Sequence, residues 1–495
     1  LVFNINAGKK FYFGDFDINI PEDFDPKKFD NLKSFFKKIK DKKYSYRNIE
    51  KILDEIEKIA LFQNYEFINA KVIEVVKGNK INFTFDIKDT EKLYVNKINI
   101  LGNNITSEKF IRDQLIVDEG DPFNKILHNK SINKLKAKNL FSKVESKIID
   151  TENPDQKNIN ITIDEKPTGE LMAGAGYGSD GSTFSIGVRE NNFKGEGINL
   201  NTKLSLTEQT IKGYFEYSHP NFAYSDRSLS TSLESSVTDK LTDFGYKSSL
   251  NKVSIGTRYE QFENTFFSPR LSVSSETLDT TSTASAAYKK QEGSYFDTTF
   301  DYGLAYDKRN SVYQPSSGFY SSWFQQLPIV SENQTIINGY RITGYKEVVD
   351  DMVVSSGIYS RAVNSLTNDD VRVSKRLFAP SSRLRGFESG KVGPVDGTDH
   401  IGGNYVVTFN TSSTVPYILQ TQENMDLKVF FDAGNIWGVD YSSTLDDSNT
   451  IRTSTGVALE IVTPIGPLSF SMSEVLSKAS TDKTESFKFQ LGTTF

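Results

Sequence analysis

Cysteine is absent from this chain of 495 residues, which excludes a disulfide framework and any thiolate metal site. Histidine is scarce: His128, His219 and His400 are widely separated, and no metal-ligand spacing or nucleophile elbow accompanies them. No enzymatic reaction, cofactor or metal centre is therefore expected. No apolar run is long enough for a membrane helix, and the mean hydropathy is −0.44. That excludes a helical membrane protein but leaves a barrel open, because barrel strands turn only every second residue toward lipid. A basic surplus is also missing. The net charge of −6 and pI near 5.5 argue against nucleic acid as a partner, since phosphate contacts need a basic surface. The lysines of the first third are interleaved with aspartate and glutamate and read as solvated helix faces. The chain starts Leu1-Val-Phe-Asn-Ile, with no initiator methionine, basic segment or apolar core of a leader, and reads as a fragment or processed product.

What the chain does have is a period-two pattern at its end. In Glu485-Ser-Phe-Lys-Phe-Gln-Leu-Gly-Thr-Thr-Phe495, the residues Phe487, Phe489, Leu491, Thr493 and Phe495 share one face of an extended strand. A lipid-facing closing strand requires this; an amphipathic strand of a soluble sandwich is the alternative. Residues 1 to about 167 alternate strand and helix patterns, whereas the remainder reads as strands separated by Gly, Ser, Asn and Asp turns. The first zone repeats itself. Strand Lys9–Ile20, helices Asp25–Ile39 and Ser45–Phe62 and a hairpin around Lys77-Gly78-Asn79 are followed by strand Leu93–Ile100, helices Ser107–Leu115 and Asn124–Asn139, and strands Ser142–Ile149 and Asn158–Asp164. Leu61-Phe62 and Leu140-Phe141 hold corresponding places, which gives two β-α-α-β-β modules. Such modules leave sheet edges onto which another chain can add a strand; mere spacers are the bland reading. The second zone has room for about sixteen strands. Eleven fall before residue 364 and five after 402, separated by one long connection at about 363–401, a length that is usually functional.

That connection contains Ser381-Ser-Arg-Leu-Arg-Gly-Phe-Glu-Ser-Gly390, whose Arg385-Gly386-Phe387 core resembles the signature loop of the BamA family, the POTRA-and-barrel assembly proteins. Asp164 to Tyr177 resembles the junction from last POTRA to first barrel strand, Asn191 to Gly197 a second-strand turn, and Phe430 to Trp437 a family strand. Thr463-Pro-Ile-Gly-Pro-Leu468 and the terminal aromatic complete the series. The resemblance implies a mixed fold: two β-α-α-β-β POTRA domains (residues 9–90 and 91–167, after the end of a preceding domain or linker at 1–8), then a sixteen-stranded antiparallel transmembrane β-barrel at 168–495. It further implies a place in the bacterial outer membrane with the POTRA domains in the periplasm. The implied partners are unfolded outer-membrane protein clients, accessory lipoproteins, periplasmic chaperones and outer-membrane lipid.

Two sites follow. Arg385 in a loop folded into the lumen needs a carboxylate, and Asp432 fits because it alternates with Leu427, Val429 and Phe431. The strand after the loop, Asn404–Ser413, contains no acid, which leaves a second carboxylate in doubt. The other site is a lateral gate between the first and last barrel strands. In the first, Leu171, Ala173, Ala175 and Tyr177 face one side and Gly174, Gly176 and Gly178 the other; in the last, Gly492 follows Phe487, Phe489 and Leu491 and precedes Phe495. Glycine weakens strands, so this seam is expected to be the least secure pairing. Glycine relieving crowding at a tight closure is the competing explanation. The run Gly174-Ala-Gly176-Tyr-Gly178 is not a dinucleotide loop, lacking the third spacing and a following helix. The rival functions are a sibling that assembles autotransporters or translocates one secreted partner, and, from another class, a passive diffusion porin.

Overall fold

A computed structural model of the chain describes residues 11–492, apart from 22–24, 43, 46–47, 50, 54, 57–58, 60–67, 90–92, 180, 223–226, 283, 313–314, 350–351, 368, 398, 416–424, 443–444, 446–449 and 464–465. Residues 1–8, Leu61-Phe62, Thr493, Phe495 and part of the Thr463–Leu468 stretch lie outside the described residues. By its internal contacts the chain divides into Leu1–Thr168 with Lys194–Gly197, and Gly169–Phe193 with Ile198–Phe495.

The first unit holds two three-stranded sheets of one topology. In one, β1 (Tyr12–Asn19) runs parallel to β3 (Lys80–Asp89), which pairs antiparallel with β2 (Ile68–Lys77). In the other, β4 (Tyr94–Leu101), β5 (Phe141–Asp150) and β6 (Gln156–Glu165) repeat it in the order β4-β6-β5. Helices cross over between the parallel strands. Asp25 caps the first of them by accepting from the Lys27 amide, with Pro26 in the first turn. Leu32, Phe36 and Ile39, three and four residues apart, point inward onto Phe83 and Phe85. In the second module the crossover helix at Glu108–Arg112 starts at Ser107, whose side chain accepts from the Phe110 amide, and Ile111, Leu135, Ile159 and Ile161 fill the core.

The sheet edges are unequal. The outer edge of β1 is bonded by the strand's own crossover, with Phe13 N–H to the Lys42 carbonyl and Tyr44 N–H to that of Phe11, each 2.9 Å. The edge of β4 is closed in the same way by residues 120–123. Among the described residues β2 and β5 have no neighbour on their outer side, and they expose Val75, Val76, Ile148 and Ile149.

A carboxylate fastens the turn after β4. Glu165 accepts from the backbone amides of Asn104, Ile105 and Thr106 at 3.0, 2.8 and 2.6 Å. Burial pushes this carboxyl up, but the bonds from Thr106, Ile105 and Asn104 together outweigh it and hold it below the ordinary range. A depressed value means that stability is present above the ordinary carboxylate range and is lost as pH falls through the folded value. The protection factors of the amides of residues 104–106, taken relative to the intrinsic exchange rate at each pH, are therefore expected to fall in the wild type between about pH 5 and pH 3. Glu165→Gln should be less protected at neutral pH and lose this acid dependence; equal acid dependence in both proteins would refute the assignment.

The second unit is a closed barrel of sixteen strands, each antiparallel to both neighbours. They are β7 (Gly169–Gly178), β8 (Gly181–Phe193), β9 (Ile198–Thr207), β10 (Thr210–His219), β11 (Ser228–Lys240), β12 (Tyr246–Phe262), β13 (Thr265–Thr280) and β14 (Gly293–Asp307). The series continues with β15 (Ser317–Ser331), β16 (Thr335–Val349) and β17 (Met352–Ser365). After the loop with its two-residue strands β18 (Val395–Asp396) and β19 (Asp399–His400) come β20 (Tyr405–Thr414), β21 (Met425–Trp437), β22 (Arg452–Thr463), β23 (Gly466–Ser477) and β24 (Phe487–Gly492). All sixteen stretches expected from the sequence are barrel strands, several of them longer at the ends. Alternation sorts their side chains: Ile186, Leu233, Val253, Ile358 and Phe409 are exposed on the outside, while Ser254, Ser272 and Asp301 form an inward hydrogen-bonded ladder across β12, β13 and β14.

Candidate functional site

The long connection runs from 366 to 404 and turns into the barrel, where Val371, Leu377, Leu384, Phe387 and Val392 pack with Val363, Val406 and Ile436 of the wall. Arg385 meets Asp432 there. Its Nε and a terminal nitrogen each donate to the carboxylate at 2.7 Å, its backbone N–H donates at 3.1 Å, and its guanidinium lies 3.4 Å over the Phe430 ring. Asp432 is fully buried. Strand β20, which has no acid, contributes Asn410 instead, donating to Asp432 at 2.8 Å and to the Arg383 carbonyl at 2.6 Å. An amide serves because the carboxylate is already neutralised and lacks only donors. Gly386 has φ +89°, and a Cβ there would come 3.1 Å from Ser473 and Val475, so no other residue fits this bend without displacing the wall. Phe387 is buried beside it.

Two more fastenings escaped the sequence reading. Arg372 is wedged between Glu276 of β13, at 3.0 Å, and Asp297 of β14, and Lys375 adds a contact to Asp297 at 3.2 Å. Arg452 of β22 and Asp482 are both fully buried and joined at 2.9 and 3.1 Å, and Asp482 also accepts from the Gly393 amide of the loop. The available signals were the basic spacing Arg372, Lys375 and Arg376, and Glu276 standing out of phase with Leu271 and Val273. Their partners are far apart in sequence, and only closure of the barrel joins them.

The loop also holds the segment that leads into the last strand. Glu485 N–H donates to the Gly386 carbonyl at 3.0 Å, Glu388 N–H to Lys483 at 3.1 Å, and Lys483 N–H to Lys391 at 3.1 Å. His400, one of the scattered histidines, contacts the Thr481 carbonyl at 3.1 Å.

Among the described residues, β24 and β7 pair at Gln490 with Gly178, Leu491 with Tyr177 and Gly492 with Gly176, and the Ser179 N–H donates to the Phe489 carbonyl at 3.1 Å. Tyr177 and Phe489 add a ring contact at 5.8 Å. Leu171 and Tyr177 are exposed outward, while Gly174, Gly176 and Gly178 lie in the opposite phase. A Cβ on Gly178 would sit 2.5 Å from the Phe489 carbonyl oxygen, so only glycine permits this approach. Phe487 and Phe489 pair with β23 and have no ladder partner on β7, and Leu171 and Gly174 have none on β24, among the described residues. Phe495 lies outside them.

A closed barrel of sixteen strands with a long loop fixed inside it, in one chain with modules that leave sheet edges open, defines a barrel protein of the outer membrane. The Omp85 superfamily domain matches residues 192–495 and the POTRA family, a surface antigen variable number repeat, matches residues 93–166. The chain belongs to the Omp85 superfamily. It is 24% identical to the outer membrane protein assembly factor BamA of Neorickettsia risticii over 84% of this chain and 57% of that one. Against BamA of Neisseria meningitidis the identity is 23%, over 91% and 63%. The chain thus spans somewhat over half the length of these curated relatives. Among solved structures, BamA from Haemophilus ducreyi lacking POTRA domains 1–3 superposes with a TM-score of 0.76 at 22% identity, covering 98% of this chain and all of that one. CdiB from Acinetobacter baumannii gives 0.52 at 11%, covering 98% and 91%. The protein resides in the outer membrane with its POTRA modules in the periplasm.

Proposed function

We propose that the chain is the central subunit of an outer-membrane barrel assembly machinery. Without enzymatic chemistry, it captures unfolded outer-membrane protein clients on its POTRA edges and inserts them through an opening between β7 and β24. What supports this reading is the make-up of the junction, where Gly174, Gly176 and Gly178 leave one face of β7 without side-chain packing, so that parting β7 from β24 frees backbone groups on which a client strand can add. The open edges of β2 and β5 suit the same strand addition for capture. Accessory lipoproteins of the complex and periplasmic chaperones are the further partners proposed. A translocator of one secreted polypeptide is the second reading, favoured by the likeness to CdiB across nearly the whole chain. Depletion of the protein in its host, followed by a census of outer-membrane proteins, separates the two. A broad fall across unrelated barrels is expected; loss of a single secreted protein would establish the translocator instead.

A further inference from the structure

We propose that the lumen wall built by β15, β16 and β17, together with the loop folded against it, is a binding surface for acidic polypeptide segments. Arg341, Arg361 and Arg383 are its carboxylate-binding groups. The three stand on one stretch of the wall and the loop against it. Arg341 of β16 stands opposite Tyr359 of β17 in the ladder, Arg361 lies two residues further along the same face, and Arg383 reaches from the loop to within 5.1 Å of the Tyr359 ring. Arg361 also packs over Gly339, whose missing side chain leaves it room.

Charge sets these three apart from their neighbours. Arg309 lies over the Tyr320 ring at 5.0 Å, as Arg341 does at 5.5 Å, but it is forked onto Asp307 at 2.9 and 2.7 Å. Arg385 is neutralised by Asp432. Among the described residues Arg341, Arg361 and Arg383 have no carboxylate partner, and Arg341 and Arg383 are near enough to repel each other. Strands β15, β16, β17 and β20 together contain a single acidic residue, Glu347, near the C-terminal end of β16. Three guanidiniums without an ion-pair partner in a walled space concentrate positive potential and draw in anions. Stacking on an aromatic face, Tyr320 for Arg341 and Tyr359 for Arg383, holds these two guanidinium planes while leaving their edge N–H groups free for a carboxylate.

Charge complementarity selects the ligand class, and the assembly or translocation reading, on which this inference rests, selects a polypeptide as its source. Asp and Glu side chains of a segment entering the lumen would each meet an arginine edge. Because the surface lies within the barrel and away from the seam pairs, its occupation is measurable without any assembly assay.

The test uses the full chain in nanodiscs of zwitterionic lipid and a fluorescent peptide of about twelve residues rich in Asp and Glu, with an Asn/Gln counterpart, read by anisotropy. The acidic peptide is expected to bind with an affinity that falls steeply with salt, and the amide peptide not to bind. Joint substitution Arg341→Gln, Arg361→Gln and Arg383→Gln should weaken binding tenfold or more, on the order of 1.4 kcal/mol. The three Arg→Lys changes should retain most of it, and Arg309→Gln should leave it unchanged. Heat-modifiable electrophoretic migration verifies that each variant is a folded barrel. Equal binding of the two peptides, or undiminished binding by the triple glutamine variant, would overturn the proposal. Complete displacement by millimolar inorganic phosphate, or loss of peptide binding when anionic phospholipid replaces the zwitterionic lipid, would make this a generic oxyanion or headgroup site and overturn the peptide assignment. Failure of the insertase reading appears in the depletion census and leaves this readout untouched.

Discussion

Arg385→Ala is expected to release the 366–404 loop from the lumen and lower the unfolding midpoint of the barrel. The substitution leaves the fully buried carboxylate of Asp432 with the Asn410 amide and one backbone N–H but no opposite charge. Removing one partner of a buried pair costs on the order of 3–5 kcal/mol, far more than the pair itself contributes over a matched apolar replacement. Asp432→Asn should be milder, because the guanidinium keeps its Phe430 face at 3.4 Å and the amide oxygen still accepts. The joint change Arg385→Met with Asp432→Leu should regain much of the loss, which a double-mutant cycle measures directly. Limited proteolysis reports the loop: cleavage within 366–404 is expected in Arg385→Ala and absent from the wild type. A single variant within about 0.5 kcal/mol of wild type, the range of surface substitutions, would show that the pair does not hold the loop.

The second large effect concerns the seam. Tyr177 and Leu491 are ladder partners, so Tyr177→Cys with Leu491→Cys places two thiols across the junction of β7 and β24 in a chain with no other cysteine. Oxidation should abolish client assembly and reduction should restore it, while each single variant assembles normally. The expected loss is nearly complete, because a covalent bond across the junction would have to break before the two strands could part. Full assembly by the oxidised protein, with cross-linking confirmed by its electrophoretic shift, would eliminate passage through this seam.

The two effects are joined through one segment. Backbone bonds from the loop reach Lys483 and Glu485, immediately before β24, so freeing the loop in Arg385→Ala also frees the approach to the closing strand. For that reason the proteolysis and unfolding measurements should be made on the oxidised cysteine pair as well, where a seam effect is suppressed and a loop effect remains.

How much of this was legible in the sequence varied with the range of the interaction. Strand alternation is local, so residues such as Ile186, Val253 and Phe409 announce the outer face through neighbours two positions away, and all sixteen strands were recoverable. The module repeat was legible for the same reason, since turn residues and helix periodicity recur at fixed spacing. Arg385 and Asp432 could be joined because one lies in a motif and the other stands out of phase on an otherwise apolar strand. Arg372 with Glu276 and Asp297, and Arg452 with Asp482, gave no comparable cue, because a polar residue at an inward position is ordinary in a barrel. The inequality of sheet edges was also hidden. Whether β1 or β2 is open depends on where the 41–44 segment returns, which no residue of either strand encodes.

By itself, the order of residues determined the element types, the outward and inward faces, the number of strands and the absence of thiolate sites, all of which rest on contacts within a strand or a helical turn. The tertiary structure alone decided the register at the seam, the seating of the loop against β13, β14, β21 and β22, and the arginines left without carboxylates. Each of these depends on closing the sheet. Closure brings together residues tens to hundreds of positions apart, and local propensity carries no information about which of many inward polar groups will face one another once the ring is complete.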